Sequence, residues 1–353
     1  MISTILKEDF DRILDAVTPS LKRLSGKAIL VTGACGLVGS YILEFLAYIN
    51  DHGISCRVVG FDNLSASKES RQTYLSLKKN VRVMESVDIT KPMGRVLRDE
   101  VCPDYILNMA SIASPAIYKR FPRETINVNT VGVTNMVSGF RRRMPTSVLH
   151  FSSSEIYGEP DIVPTPEDYP GRVSSIGPRA CYDESKRMGE TLCIETFRQE
   201  GVPIKIVRPF NLYGPGHFLD DGRVIPQIMN AVLSNRTIPL TIYGSGMATR
   251  SFCYLSDAVV QLFAVLLDGN DGEVYNVGDY GSEISMNDLG QLVTILFPDT
   301  KIQRDVDSAE VIGAPTRRRP DTKKVMEISN PTQVTIAQGL SRTKAWHEEG
   351  ETI

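Results

Sequence analysis

Apolar residues fall in short blocks along the first half of the chain, each followed by a stretch with helical spacing. Residues 2–24 set Ile5, Leu6, Ile13, Leu14, Val17 and Leu21 at helical intervals, and Ser25-Gly26 ends the segment. This predicts an amphipathic helix that serves packing or an oligomer surface rather than chemistry. Lys27–Thr32 then reads as a strand and Ser40–Ile49 as a helix. Further strands are predicted at Cys56–Phe61, Val81–Glu85, Tyr105–Met109, Ser147–Ser152 and Ile204–Arg208, with helical stretches between them. Apolar strands alternating with helices imply right-handed crossovers and a parallel sheet, hence a doubly wound α/β fold. After Pro209 the alternation breaks into Gly/Pro-rich loops and isolated helices near 223–235 and 286–297. That pattern predicts a smaller C-terminal lobe over the carboxyl edge of the sheet, where such folds bind ligands. The predicted division is a helical extension at 1–26 and a doubly wound domain at 27–210 with a return segment near 245–278. Residues 211–244 and 279–353 form the lobe.

Composition narrows the partners. A hydrophobic content of 42% and a charged content of 23% are ordinary for a globular protein. The net charge of −3 gives no electrostatic case for nucleic acid or an anionic membrane. The longest uncharged apolar run, Ala258–Leu267, falls short of the ~18 residues of a spanning helix. Cysteines 35, 56, 102, 181, 193 and 253 are scattered, with no C-x-x-C and no histidine at metal spacing. They read as free thiols in a reducing compartment, with no metal site. Lys7, Glu8, Asp9, Asp11 and Arg12 leave no apolar signal core near the start. The expectation is a cytoplasmic protein.

Gly33, Gly36 and Gly39 follow the first strand and open a helix. Backbone amides at such a turn, with the helix dipole behind them, favour a pyrophosphate, and the missing side chains allow close approach. The spacing G-x-x-G-x-x-G is one residue longer than the usual fingerprint, and a plain strand-to-helix turn is its bland reading. Asp62 ends the second strand, where a carboxylate can accept both hydroxyls of an adenosine ribose and repel a 2′-phosphate. Asn63, not arginine, comes next. The reading is a Rossmann-like domain that binds NAD in preference to NADP. Asp88-Ile89 either meets the adenine edge or forms a surface turn. Asn108-Met-Ala110-Ser111 passes the nicotinamide side.

Tyr182 and Lys186 are four residues apart on one predicted helix face. A second Y-x-x-x-K, Tyr74 to Lys78, shows that the spacing alone means little. A tyrosine near pKa 10 is a poor base at neutral pH, but a nearby ammonium and a positive nicotinamide favour its phenolate. Tyr182 then takes a proton from a sugar hydroxyl as hydride leaves for the cofactor. The strand end Ser152-Ser153-Ser154-Glu155 places hydroxyls and a carboxylate by the same carbinol. Asn129 either bonds main chain beneath the site or steadies its helix. The basic run Arg317–Arg319 is either a solvated surface or an anion site, and Arg141–Arg143 is surface.

Longer segments carry a family likeness. They include Ala113-Ser-Pro-Ala-Ile-Tyr118-Lys, Ser153-Ser-Glu155-Ile-Tyr-Gly158, Ile176-Gly-Pro-Arg-Ala-Cys-Tyr182-Asp-Glu-Ser-Lys186, Asp220-Asp-Gly-Arg223-Val, Tyr243-Gly-Ser-Gly…Thr249-Arg250-Ser-Phe and Arg318-Arg-Pro-Asp321. Over nearly all of 27–345 the chain resembles the extended short-chain dehydrogenase/reductases, the NAD-dependent nucleotide-sugar epimerase/dehydratase family. Within it, the likeness is to UDP-glucuronate decarboxylases, the UDP-xylose synthases. The resemblance implies that Leu37, Val38, Ile89, Ala110, Asn129 and Pro209 join the glycines, Asp62, Asn63, Asp88, Tyr182 and Lys186 around NAD. It implies that Ser153 holds the sugar 4-hydroxyl, Glu155 sits by C5 and Tyr182 is the base. Tyr118, Asn211, Arg223, Tyr243 and Arg250 would grip the UDP-sugar, Arg250 at the diphosphate, and Arg318 would act at the carboxylate or the enolate left by CO2. Homodimers through helices near 117–140 and 182–200 are common among such enzymes.

Related 4,6-dehydratases carry Asp before the Glu, where this chain has Ser154, and plain C4 epimerases usually lack the Glu; both features favour decarboxylation. One departure points the other way. Uronate-acting relatives generally have Arg after Asn-x-x-Gly-Pro, and this chain reads Asn211-Leu-Tyr-Gly-Pro-Gly216-His217, so His217 or Arg318 would have to replace that guanidinium. C4 epimerisation or dehydration of a UDP- or dTDP-hexose stays open as the reaction. A non-catalytic NAD-binding relative is the less favoured reading, since both Tyr182 and Lys186 are present.

Overall fold

The structure is a computed structural model, and it describes residues 2–84, 86–138, 143–234, 239–307 and 313–350. Arg141 and Arg142 therefore lie outside the described residues, as does Glu85 of the third predicted strand. Six strands arise up to Pro209: β1 (Ala28–Thr32), β2 (Arg57–Phe61), β3 (Val81–Met84), β4 (Tyr105–Asn108), β5 (Ser147–Phe151) and β6 (Ile204–Pro209). The remainder are β7 (Leu212–Tyr213), β8 (Leu240–Tyr243), β9 (Thr249–Ser251), β10 (Cys253–Tyr254), β11 (Val274–Val277), β12 (Glu283–Ser285), β13 (Ile302–Asp305) and β14 (Arg317–Arg318). One parallel sheet takes the order β11-β6-β5-β4-β1-β2-β3. Its central strands are buried along their whole length, which is why they read as unbroken apolar blocks. From β1 the chain builds outward through β2 and β3, then returns to β4 on the other side of β1. The carboxyl ends of β1 and β4 are therefore the switch point of the sheet, the place for a ligand cleft.

The predicted helix near the N-terminus forms as Thr4–Leu21, and it is no loose appendage. Leu6, Phe10, Ile13, Val17 and Leu21 are buried in the main core, against helices Leu37–Asp51 and Leu255–Asp268. Truncating Phe10 to alanine there costs on the order of 3–5 kcal/mol. Its one buried acid, Asp9, accepts hydrogen bonds from Tyr254 Oη at 2.8 Å, Tyr41 Oη at 3.1 Å and Arg342 Nη2 at 2.7 Å. The crossover between β4 and β5 is a chain of short helices, Pro115–Arg120, Pro122–Asn127, Val128–Gly132 and Val133–Val137. Pro115 and Pro122 each open a new segment, as proline does at a first helical turn.

The lobe has its own core of Tyr213, Ile225, Ile228, Met229, Phe252, Leu289 and Leu340. A small sheet, β12-β9-β14, projects from it toward the cleft, with Arg318 of β14 paired to Arg250 of β9. No helix among the described residues is long and apolar enough to cross a membrane, and no cluster there fits a metal ion.

Candidate active site

The glycine turn joins β1 to helix Leu37–Asp51, whose N-cap is Gly36. Gly33 has φ +68°, and a Cβ on it would come 3.0 Å from Ala110 Cα at the end of β4. A Cβ on Gly39 would collide with the Gly33 carbonyl. The turn thus packs backbone on backbone and leaves the helix N-terminus open, which suits a dinucleotide diphosphate. Leu37 and Val38 lie half-buried on the first helical turn, and Pro209 ends β6. Thr32 Oγ1 donates to Asn108 Oδ1 and accepts from the Met109 and Ala110 amides, each at 3.0 Å, which fixes the floor between β1 and β4.

Asp62 accepts from Cys35 N and Leu64 N, both at 2.8 Å, and from Ser67 Oγ at 3.2 Å. An ionised carboxylate offers about four acceptor sites, so it braces the turn with capacity left for a ribose hydroxyl. Asn63 is exposed, its side chain capping Ser65 N. Asp88 closes a turn of its own, accepting from Thr90 N at 2.9 Å and Thr90 Oγ1 at 2.7 Å, and Ile89 is buried against Gly132. Asn129 lies under the helix that carries Tyr182 and is held there through side chains: Ser111 Oγ donates to its Oδ1 at 2.8 Å, and its Nδ2 donates to Ser185 Oγ at 2.9 Å.

Tyr182 and Lys186 occupy the first turns of helix Ala180–Glu200. The Tyr182 ring is buried and stacks on Tyr118, centroids 5.2 Å apart at 13°. Burial pushes its phenol up to about 12; Glu155 and Asp183 push the same way, while the Ser153 hydroxyl beside it pulls down. Lys186 lies within the molecule, its Nζ donating to Phe151 O at 2.7 Å, and burial brings its pKa down to about 8. That ammonium is 5.9 Å from the Tyr182 ring centre. At that separation burial outweighs the expected activation of Tyr182 by Lys186.

Glu155 is held by two guanidiniums. Arg318 donates from Nη1 at 2.6 Å and Nη2 at 2.5 Å, and Arg179 pairs with Oε2. These two charges outweigh burial and bring Glu155 down to about 2. Arg250, its register partner Arg318 beside it, is half-buried, and desolvation with the neighbouring guanidiniums lowers it to about 9. Three arginines thus face one carboxylate, so the expected shortage of positive charge does not arise. The run Arg317–Arg319 splits by strand alternation: Arg318 points inward, while Arg317 and Arg319 turn to Glu283. His217 cannot supply a cation, because burial and Arg223 bring it down to about 3.

Arg223, at the start of helix Val224–Leu233, is paired with Asp221 at 2.6 Å and its charge reaches Tyr182. Asn211 Nδ2 donates to Ser251 O at 3.1 Å. Tyr243 ends β8 in a separate two-stranded sheet with β13. Sequence reasoning passed over Arg179 and Asp183. Asp183 is 3.6 Å from Arg179, and burial beside Glu155 raises it to about 7. Their signal was present, since positions 179, 182 and 183 share one helix face.

The family model of NAD-dependent epimerases/dehydratases matches residues 29–278. The chain is 36% identical over 314 residues to UDP-glucuronic acid decarboxylase 3 of Arabidopsis thaliana, covering 88% of this chain and 86% of that one. An epimerase from Methanothermobacter thermautotrophicus superposes with a TM-score of 0.80 at 25% identity, over 97% of this chain and 96% of the other. A dTDP-glucose 4,6-dehydratase double mutant from Streptomyces venezuelae, solved with NAD bound, gives 0.78 at 25% identity, over 91% and 97%. The chain belongs to the NAD-dependent epimerase/dehydratase family. It is an NAD-dependent enzyme, and its sequence relatives include UDP-glucuronic acid decarboxylases.

Proposed function

We propose that the protein is a redox-neutral decarboxylase of UDP-glucuronate that yields UDP-xylose. The observation that carries this reading is the Arg179–Glu155–Arg318 clamp with Arg250 alongside, within reach of Tyr182. Its excess of positive charge suits a sugar carboxylate and the enolate that follows CO2 loss. NAD held at the glycine turn and by Asp62 would supply a reversible hydride acceptor for C4 and a positive ring that favours the Tyr182 phenolate. Ser153 holds the 4-hydroxyl, and Tyr182 takes its proton at Oη. With the 4-keto group in place, the C5 carboxylate is a β-keto acid. The C5–carboxyl bond breaks, CO2 leaves, and the electron pair passes to an enolate facing Arg318. A proton from water then adds to C5 in place of the lost carboxyl group, and Tyr182 gives its proton back to O4 as C4 is reduced. Lys186 would donate to the nicotinamide ribose. Tyr118, Asn211, Arg223, Tyr243 and Arg250 line the path for the UDP group.

Apolar side chains left exposed on the helices at 122–132 and 180–200, namely Ile126, Val131 and Met188, support a homodimer through those helices. The lack of any disulfide among the described cysteines fits a reducing, cytoplasmic setting. The test is incubation with UDP-, dTDP-, GDP- and CDP-sugars read by mass spectrometry. Loss of CO2 from UDP-glucuronate is the expected result; loss of water or an isomer of unchanged mass would assign a dehydratase or an epimerase instead.

A further inference from the structure

The segment that follows β6 does not stay above its own strand. β6 stands three strands from β1, about 14 Å at ~4.8 Å per strand, yet a Cβ on Gly216 would lie 3.7 Å from Leu37 Cδ1 and 4.0 Å from Arg71 Nη2. Arg71 belongs to the helix after Asp62 and is 1% exposed. Its Nη1 donates to Cys35 O in the glycine turn at 3.1 Å, and its Nη2 donates to Gly216 O at 2.5 Å. Its guanidinium lies 3.9 Å from the centre of the Phe218 ring. Lys68 Nζ is 4.5 Å from the same ring and 3.7 Å from Asp220. A cofactor-side helix is thus tied to a lobe-side loop right beside the diphosphate turn.

We propose that Arg71 and Phe218 form a clasp that retains the dinucleotide in its cleft through turnover, with Arg71 as a counter-charge to the cofactor diphosphate. Among the described residues no carboxylate forms an ion pair with Arg71, its hydrogen-bond partners are two carbonyls, and its Nε is buried without a partner. A buried cation in contact with no carboxylate is costly: burial outweighs the more distant charges of Glu44 and Asp62 and pulls this one down to about 10. An anion seated at the N-terminus of helix Leu37–Asp51 removes that deficit. Retention also follows from the reaction, and here the inference rests on the redox-neutral reading. Hydride taken from a sugar must return to that sugar, so a reduced cofactor that escapes ends the cycle.

The test uses holoenzyme loaded with isotopically labelled NAD, separated from free label and chased with unlabelled NAD. Phe218→Ala is expected to speed release of label by about tenfold or more; the ring is half-buried and outside the core clusters, so the fold survives. Arg71→Met is expected to weaken NAD and ADP-ribose by about tenfold or more and leave adenosine unchanged, while the ligand-free Tm holds or rises. Release unchanged in Phe218→Ala overturns the clasp. A lower ligand-free Tm with NAD affinity intact in Arg71→Met makes Arg71 a structural strut and overturns the counter-charge. No sugar nucleotide enters these measurements, so they stand or fall apart from the substrate assay.

Discussion

The molecule contains two tyrosine–lysine pairs of identical spacing, and the pair in direct contact is the one outside the cleft. Lys78 Nζ donates to Tyr74 Oη at 2.5 Å, and that hydroxyl donates to Glu44 at 3.0 Å, while Lys78 sits 3.5 Å from the same carboxylate. This is a local triad on the flank of the domain. In the cleft, Lys186 turns to the Phe151 carbonyl and Tyr182 stacks on Tyr118 beside Ser153. Contact satisfies groups; separation leaves them available to a ligand. Burial, a strand end that supplies hydroxyls and three nearby guanidiniums distinguish the second pair, and none of these is visible in the spacing.

The sharpest test of the contrast is a matched pair of substitutions. Tyr182→Phe should lower kcat by about a thousandfold, within the range for a lost general base, while labelled NAD stays bound. Tyr74→Phe should leave kcat within a factor of about two. Equal losses would end the distinction. Next in size, Arg318→Ala should cut CO2 release by about a hundredfold, the scale for losing a donor to a developing oxyanion. C4 oxidation would then show as NADH absorbance; unimpaired CO2 release would remove Arg318 from the chemistry. Asp62 should make NAD bind about tenfold or more tightly than NADP, and equal affinities by calorimetry would contradict its role at the ribose.

The smallest expected effect concerns Glu155. Its folded-state pKa of about 2 lies below the ordinary 4.5. Its ionised form therefore stabilises the fold above that ordinary value, and the contribution is lost as pH falls through about 2. The Tm deficit of Glu155→Gln should be full at neutral pH and shrink in acid. A deficit that grows in acid would mean that the clamp does not hold a carboxylate.

Much of this was legible in the chain because particular positions demand particular residues. Strands covered on both faces must be apolar, so β1 to β6 were predicted within a residue or two of their ends. The glycine turn was legible because Gly39 has no room for a side chain. Strand β11 escaped notice: it is four residues long and carries Asn276, whose side chain binds Tyr157, Thr165 and Asp321. The inward turn of Arg318 could be read only once the register of β14 on β9 was known. Arg71 had no local signal, since its bond to Gly216 spans 145 positions.

Asp9 and Arg342 meet across 333 positions. A ribosome releases the acid 333 residues before the guanidinium. Until Arg342 emerges, seating the first helix would bury Asp9 without its cation, so the stripe of Leu6, Phe10, Ile13 and Val17 has to wait in solvent. The nascent chain can assemble its central sheet early, but it closes its core last. For that interval the newborn protein displays a greasy helix suited to chaperone capture, and a message cut short before the codon for Arg342 would leave it displayed.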